Sequence, residues 1–259
     1  MVHDVSTSIQ ASHIILVIAE DLSKSIPDLY PVERHFNNSA AAPEVNSIRG
    51  LPELSITREE SRYIQSVDLD TLIETATRND FVIEAVVKPG DHSISRSDLA
   101  IIWGHKHTSV EDQKRIADAF RIGGQRTSLQ DIRFQFQQLT DVIVRALSPG
   151  INDPFTAING IDALTSAASQ LARRPRVHEV QNDSLGKIRV ILATPRLEEI
   201  LLDTVGHIAL YAANNPFVMD SLRRVLQAVK PDLGGLRELE TLAGLEANLD
   251  RRERGPTLV

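Results

Sequence analysis

The polar residues that precede one predicted helix are the first candidates for chemistry in this sequence. The segment Ala146–Ala157 reads ALSPGINDPFTA. Asn152 and Asp153 offer amide and carboxylate oxygens, which could bind a substrate or a cation at the mouth of the helix. The same residue types also fit a structural role, because Asp is a favoured N-cap and Pro154 suits the first helical turn. A similar order of residues recurs at Asn214–Phe217, before another predicted helix, and this favours the structural role.

A second candidate site lies in the segment before another predicted helix. Residues 123–127 read GGQRT, and their backbone could hold an anion at the helix N-terminus with Arg126 as the charged partner. The segment lacks the Lys-Ser/Thr ending of a phosphate-binding P-loop. Asp131 follows Ser128 by three residues, which is the spacing of a capping box, although Asp131 could also be a catalytic carboxylate.

These two segments together give a hypothesis for ligand binding. Arg126 would hold an anion, and Asp131 or Asp153 would act as a base or as a metal ligand. The predicted ligand-binding residues are Arg126, Thr127, Asp131, Asn152 and Asp153. The hypothesis requires these residues to converge around one pocket.

Familiar catalytic and metal-binding motifs are absent from the sequence. It contains neither the GxSxG nucleophile elbow nor the GxGxxG nucleotide motif. His105 and His107, near Glu111 and Asp112, would point to opposite faces of a strand, and no HExxH helix supports them. We therefore predict no catalytic residue, no metal site and no cofactor, and no motif indicates a reaction.

The composition limits the class of protein. The 259 residues are 42% hydrophobic and 24% charged, which is typical of a globular chain. Asp and Glu outnumber Lys and Arg by 35 to 28, which disfavours nucleic-acid binding because such proteins usually carry a basic surface. The absence of cysteine excludes disulfides, thiolate metal sites and a cysteine nucleophile. No stretch approaches the roughly 20 apolar residues that cross a bilayer, which predicts a soluble chain.

Hydrophobic spacing predicts helices at both ends of the chain. An apolar stripe predicts a helix over about 6–29 and consists of Ile9, Leu16, Leu22, Ile26 and Leu29. Beyond residue 110, apolar residues recur at spacings of three and four. These stripes lie at 129–146, 158–171, 197–211, 222–229 and 233–249. They predict a helical bundle.

Strand patterns lie between these helical regions. The predicted strands are Ser61–Val67, Phe81–Val87, His92–Ile94 and Leu99–Trp103. The predicted fold class is therefore α+β, a mostly helical bundle with an inserted small β module. The predicted domains are an N-terminal helix at 1–34, a linker at 35–53, the β module at 54–108 and a helical domain at 109–259.

Several strings in the sequence resemble one bacterial family. The most specific is Ala146–Ala157. Further matching strings are Ser8–Gln10, Asp28–Pro31, Tyr63–Gln65 with Asp68 and Asp70, Val87–Asp91, Arg126-Thr127, Gln130-Asp131 and Leu139. Over nearly its whole length the chain resembles the predicted-membrane-protein family called domain of unknown function twenty-two fifty-four. Arg62 departs from the family, which usually has glycine there, and glycine permits backbone conformations that arginine does not.

The resemblance implies that this chain is the C-terminal part of an integral membrane protein. Family members are expected to carry several transmembrane helices before the matching region, so an N-terminal transmembrane region is expected to be missing here. An even number of spans and a cytoplasmic N-terminus would place this part on the cytoplasmic side of the inner membrane. The natural start of the chain is left open.

The strand module also resembles a barrel-sandwich, the small β fold of lipoyl and biotinyl carrier domains. The similar segments are Val86–Asp91, Ile94 and Leu99–Ile102. Carrier domains present a modified lysine in a hairpin, whereas Lys88 precedes a Pro-Gly turn. The resemblance therefore implies the fold without a covalent lipoyl or biotin group, as a spacer or assembly module.

The predicted function is a non-enzymatic assembly or sensory domain of a channel-like or transporter-like membrane protein. We expect the chain to form a homo-oligomer and its first helix to transmit motion to the membrane. The alternative is an enzyme that acts on a small polar or phosphorylated ligand at Arg126, Asp131, Asn152 and Asp153. A third hypothesis is a soluble scaffold unconnected with membranes.

Overall fold

Helices and short strands alternate along the chain in the computed structural model. It describes residues 2–31, 42–51, 53–104, 108–174, 180–212 and 215–253. The helices are α1 (Val2–Leu29), α2 (Ala42–Ile48), α3 (Leu69–Asn79), α4 (Val110–Ala119), α5 (Ile132–Leu147), α6 (Pro154–Ala172), α7 (Leu197–Ala212), α8 (Pro216–Val229) and α9 (Leu236–Glu253). The strands are β1 (Glu53–Thr57), β2 (Arg62–Val67), β3 (Val82–Ala85), β4 (His92–Ser93), β5 (Asp98–Trp103), β6 (Phe120–Gly123), β7 (Val180–Asn182) and β8 (Ile188–Ile191).

The mixed helix-and-sheet fold class is confirmed, and about 60% of the structure is helical. The chain divides into two compact units, and the division differs from the predicted domains. The helical unit contains Met1–Val32, Ile132–Pro175 and Pro195–Val259. The sheet unit contains Glu33–Asp131 and Arg176–Thr194. The two units alternate along the sequence, because a hairpin from the middle of the predicted helical domain supplies β7 and β8 to the sheet unit.

The predicted helices α5 to α9 are confirmed, because each has one apolar stripe that is buried. In α5 the stripe is Ile132, Phe136, Leu139 and Ile143, all fully buried. This spacing places the four side chains on one face of the helix. Within the helical unit, α6 packs against α5 and α8, and α7 packs against α5 and α9.

The first helix, α1, packs against α5 and α6. Its buried residues are Ile15, Leu22, Ile26 and Tyr30, whereas Leu16 is exposed. The predicted apolar stripe is therefore wrong at Leu16, because Ile15 shares the face of Leu22 and Ile26 and Leu16 is rotated about 100° from it.

Two hydrogen bonds and one close contact define the position of α1 along α5 and α6. Gln135 Nε2 donates to Ser25 Oγ at 2.9 Å, and Gln170 Nε2 donates to the Ser23 carbonyl at 3.4 Å. A Cβ on Gly160 would lie 3.5 Å from Cδ1 of Ile15. Hence α1 runs parallel to α6 and antiparallel to α5, and its first turns extend past the start of α6.

The sheet unit contains a five-stranded sheet in the order β1-β5-β3-β8-β7 and a three-stranded sheet in the order β4-β2-β6. Neighbouring strands are antiparallel except for β3 and β8, which are parallel, with Ile83 paired to Val190. Residues of α3 and α4, including Leu72 and Ile116, share the buried core with strand residues such as Ile102.

The barrel-sandwich prediction is not confirmed, because the described residues form two small sheets and no closed barrel. Two features account for the difference. The strand β8 arrives from later in the chain and pairs with β3, and α3 and α4 occupy the core space where a second sheet layer would pack.

The regions between the predicted helices differ from the prediction in some places and agree with it in others. The predicted linker at 35–53 contains α2, and its residues 35–41 and 52 lie outside the described residues. The predicted strands near Tyr63, Val82, His92 and Leu99 are confirmed as β2 to β5. In the parts of the chain that are described, no helix is long and apolar enough to cross a membrane.

Candidate functional site

Arg126 and Asp131 form an ion pair in the sheet unit. Arg126 Nε lies 2.9 Å and Arg126 Nη2 lies 2.7 Å from Oδ2 of Asp131. The Asp131 side chain is 2% exposed and that of Arg126 is 23% exposed. Since α5 begins at Ile132, Asp131 precedes the helix and does not occupy the third helical position of a capping box.

The carboxylate of Asp131 lies directly against Gly90. A Cβ on Gly90 would overlap this carboxylate, with Cγ of Asp131 only 2.6 Å away. Gly90 has a φ of +93°, which favours glycine. It belongs to the turn Lys88–Asp91, in which the Asp91 carboxylate accepts a hydrogen bond from the Lys88 amide at 3.0 Å. The Gly90 amide donates to the carbonyl of Ile64 in β2 at 2.8 Å.

Two glutamines fasten the segment 123–131 to β2. Gln65 Nε2 donates to the Gln125 carbonyl at 2.8 Å, and its amide fills the space that a Cβ on Gly123 would need. Gln130 Oε1 accepts from the Val67 amide at 2.9 Å. We call Gln65, Gly90, Arg126, Gln130 and Asp131 the β2 clamp.

Thr127 and Arg62 lie beside the β2 clamp. Thr127 Oγ1 is buried and has no hydrogen-bond partner within the described residues. Arg62 begins β2, and its Nη1 would be 3.4 Å from a Cβ on Gly124. Arg62 pairs with Ser93 as an ordinary strand residue, so this chain needs no glycine at that position. Arg62 therefore adds a cation next to Gly124, whereas the charge of Arg126 is balanced by Asp131.

Asn152 and Asp153 belong to the helical unit, where Asp153 caps α6. Its Oδ1 accepts from the Thr156 amide at 3.1 Å, and its Oδ2 accepts from Thr156 Oγ1 at 2.6 Å. Asn152 adopts a left-handed conformation with a φ of +47°. Asn215 caps α8 in a similar way, accepting from the amide of Phe217 at 3.1 Å. The geometry at Asp153 is that of a helix N-cap, which is the structural role that the sequence favours.

The five predicted ligand-binding residues thus fall into two groups. Arg126, Thr127 and Asp131 lie together in the sheet unit, and Asn152 and Asp153 form one turn of the helical unit.

His105 and His107 of the possible metal cluster lie outside the described residues. A few residues later in the sequence, the Asp112 carboxylate accepts hydrogen bonds from Arg78 Nη2 at 2.6 Å and from Ser109 Oγ at 2.8 Å. Among the described side chains, no group of three or more His, Asp or Glu is arranged to hold a metal ion.

Comparison with known proteins identifies the family. Residues 1–228 match the family described as predicted membrane protein (DUF2254). The chain belongs to the DUF2254 family.

Similar relatives of this DUF2254 chain include the uncharacterized protein Mb1321c of Mycobacterium bovis and the uncharacterized protein Rv1290c of Mycobacterium tuberculosis. Each is 29% identical over 231 residues, which is 88% of this chain and 44% of the relative. The chain therefore spans less than half of the length of these curated relatives. No solved structure matches it.

In this DUF2254 chain, several of the strings that carried the resemblance meet in the β2 clamp, whereas the most specific one, Ala146–Ala157, lies in the helical unit. Tyr63–Gln65, Val87–Asp91 and the pairs Arg126-Thr127 and Gln130-Asp131 are far apart in the sequence but adjacent in the sheet unit. The roles of Gln65, Gly90 and Gln130 were missed by reasoning on residue types alone.

An ion cluster in the DUF2254 chain was also missed, in which Arg189 and Asp183 are buried and Asp80 is exposed. Arg189 Nε lies 2.7 Å from Oδ2 of Asp183, and Arg189 Nη2 lies 2.9 Å from Oδ1 of Asp80. The hydrogen bonds from Arg189 hold the pKa values of both carboxyls below the usual range. Asp80 ends α3 with a φ of +52°, so Arg189 connects β8 to the end of that helix. An arginine within an apolar strand gives no sequence signal for this role.

Proposed function

We propose that this chain is an extramembranous assembly domain of an integral membrane protein. Its membership of a family of predicted membrane proteins supports the membrane association. Its relatives are more than twice as long as the matched region, which leaves room for a membrane part in them. In this proposal the domain lies on the cytoplasmic side of the inner membrane, and the sheet unit is a spacer without a prosthetic group.

The observation that carries the assembly role is an exposed apolar patch on α1. The α1 patch consists of Ile14, Leu16 and Val17, which are 46%, 61% and 45% exposed. Ile15 is only 4% exposed and faces α5 and α6. Helical geometry places Val17 nearly opposite Ile15, with Ile14 and Leu16 on its two sides. A group of apolar side chains on the outer face of a docked helix is typical of an interaction surface.

A second copy of the chain is the occupant that the α1 patch favours. In an antiparallel pair of α1 helices centred on Val17, His13 of each copy would lie level with Asp21 of the other. A ring N–H of His13 can donate a hydrogen bond to the Asp21 carboxylate. Such a two-fold pairing is self-complementary, as symmetric dimers require.

Disulfide trapping tests the assembly role, because the chain contains no cysteine. A single Val17→Cys substitution places a thiol on the proposed two-fold axis. We expect oxidation to convert this variant into a covalent dimer, since equivalent residues meet at the axis. Leu185→Cys is the matched control, because Leu185 is 82% exposed but lies in the sheet unit. Equal trapping of both variants, or a monomer by light scattering at high concentration, contradicts the proposal.

Cell fractionation tests the membrane association. An antibody against this region should detect the native protein in the membrane fraction, at a size well above 28.7 kDa. A band near 28.7 kDa in the soluble fraction contradicts the proposal and favours the soluble scaffold.

A second candidate function is binding of a small polar or phosphorylated ligand beside the β2 clamp. The buried and unpartnered Thr127 Oγ1 next to Arg126 favours it. A screen of small metabolites by ligand-observed NMR tests it, with Thr127→Val as the comparison. A metabolite that binds the native chain and not Thr127→Val supports this function, and equal binding to both contradicts it.

A further inference from the structure

A groove lies on the C-terminal half of α6, in the helical unit. It measures about 470 Å³, is largely open to solvent, and is lined by Ser166, Ser169, Gln170, Arg173 and Arg174. Their spacing of three or four residues places them on one face of the helix. The opposite face is the buried one, with Leu164, Ala168 and Leu171 in the core. The groove is therefore a feature of the exposed surface of the helical unit.

The chemistry of the lining favours a negatively charged ligand. Among the described residues, no carboxylate lines the groove, whereas two guanidinium groups do. Arg174 has no ion-pair partner among the described residues. Arg173 contacts one carboxylate, through Nε at 3.3 Å from Oδ2 of Asp232, and its Nη groups have no partner among the described residues. These guanidinium groups can therefore donate to an anion.

Neutral donors lie next to the two arginines. The Ser169 hydroxyl has no hydrogen-bond partner within the described residues. Gln170 Nε2 makes one long hydrogen bond, to the Ser23 carbonyl at 3.4 Å, and carries a second N–H. Planar guanidinium groups with neighbouring hydroxyl and amide donors match the oxygens of a phosphate group.

The size of the groove indicates more than an inorganic ion. Sites for small organic ligands typically measure about 300 to 1,000 Å³. A phosphate group would occupy a small part of the groove, so the remaining space suits the organic part of a phosphate ester. The two arginines of the groove are positively charged, whereas the chain as a whole has a net charge of −7.

We propose that this groove binds a phosphate ester through Arg173, Arg174 and Ser169. The ester is either a free metabolite or the headgroup of an anionic phospholipid, since both present the same phosphate oxygens. This inference does not depend on the assembly role of α1.

The test measures binding to the full chain by NMR titration of backbone amides. The probes are glycerol 3-phosphate for the free ester and vesicles of phosphatidylglycerol for the headgroup, with chloride at matched ionic strength as the screening control. Arg174→Gln is the test variant, and we expect it to raise the dissociation constant at least about tenfold. Arg145→Gln is the matched control, because Arg145 is exposed in the last turn of α5 in the same unit. The control should bind as the native chain does.

Each outcome decides the proposal. Saturable shifts at α6 with glycerol 3-phosphate that Arg174→Gln weakens support a free ester. Binding to the vesicles alone, weakened by the same variant, supports a lipid headgroup. Equal weakening by Arg145→Gln shows a non-specific charge effect and overturns the proposal. Absence of binding of the native chain to both probes also overturns it. The comparison with the variants requires that their unfolding curves match that of the native chain.

Discussion

The contact between Gly90 and Asp131 gives the sharpest prediction for the β2 clamp. Gly90→Ala should destabilise the sheet unit much more than Gly186→Ala does. Both glycines belong to the sheet unit and have similar φ values, +93° and +79°. They differ in their surroundings, because a Cβ on Gly186 would meet nothing within 4 Å, whereas a Cβ on Gly90 would overlap the Asp131 carboxylate.

The expected difference in the free energy of unfolding follows from two costs, one of backbone conformation and one of steric overlap. A side chain at positive φ costs about 1–2 kcal/mol, and this cost applies to both substitutions. Overlap in a packed site adds about 1–3 kcal/mol, and this cost applies to Gly90→Ala alone. Asp131 cannot move aside easily, since its side chain is 2% exposed and is held by Arg126. We therefore expect the free energy of unfolding to fall about 1–3 kcal/mol further in Gly90→Ala than in Gly186→Ala.

The assay is urea unfolding followed by tryptophan fluorescence. The sequence contains one tryptophan, Trp103, which is buried in β5 and therefore reports on the sheet unit. A double-mutant cycle isolates the contact, because Asp131→Ser should relieve part of the penalty of Gly90→Ala. Equal destabilisation by Gly90→Ala and Gly186→Ala, or strict additivity in the cycle, would refute the reasoning.

Two further predictions concern the core of the helical unit and the ion cluster of the sheet unit. Gly160→Ala in α6 should lower the free energy of unfolding by about 1–3 kcal/mol, because the new Cβ would overlap Cγ1 of Ile143. Gly244→Ala in α9 should raise it by up to about 1 kcal/mol, because nothing lies within 4 Å and alanine favours the helix. Arg189 lowers the pKa of Asp183 from 3.8, so this contribution to stability is present above pH 3.8 and is lost as the pH falls further. Arg189→Gln should therefore weaken the acid dependence of the urea midpoint, measured from pH 7 to pH 3.

Different results would contradict each of these expectations. Unchanged or higher stability of Gly160→Ala in circular dichroism melts would show that the α1–α5–α6 contact is loosely packed, and lower stability of Gly244→Ala would contradict the prediction for α9. An unchanged acid dependence in Arg189→Gln would show that Arg189 does not lower the pKa of the Asp183 carboxyl in the folded chain.

The local signals in the sequence predicted the helices and their caps well. The stripe from Ile132 to Ile143 is confirmed, and Asp153 and Asn215 cap α6 and α8, whereas the capping box of Ser128 and Asp131 is wrong because α5 begins at Ile132. These features depend on residues within one or two turns of each other, and the physical preferences act over that distance.

The candidate site was predicted less completely. The sequence singled out Arg126, Thr127 and Asp131, and it did not reveal that Asp131 packs on Gly90 or that Gln65 supports the GGQRT segment. The partners in the β2 clamp are tens of residues apart, and residue types alone do not specify such pairs. The family resemblance named several of these strings, but it did not place them together.

The sequence by itself determined that this chain has amphipathic helices, short strands and capped turns, because side-chain spacing and cap residues act locally. Only the tertiary structure decided that β8 joins β3 in parallel, that Ile15 is buried and not Leu16, and that Arg189 lies inside the sheet unit. Each of these depends on which distant element covers a given face. That choice is made by packing of the whole core, which no single segment encodes.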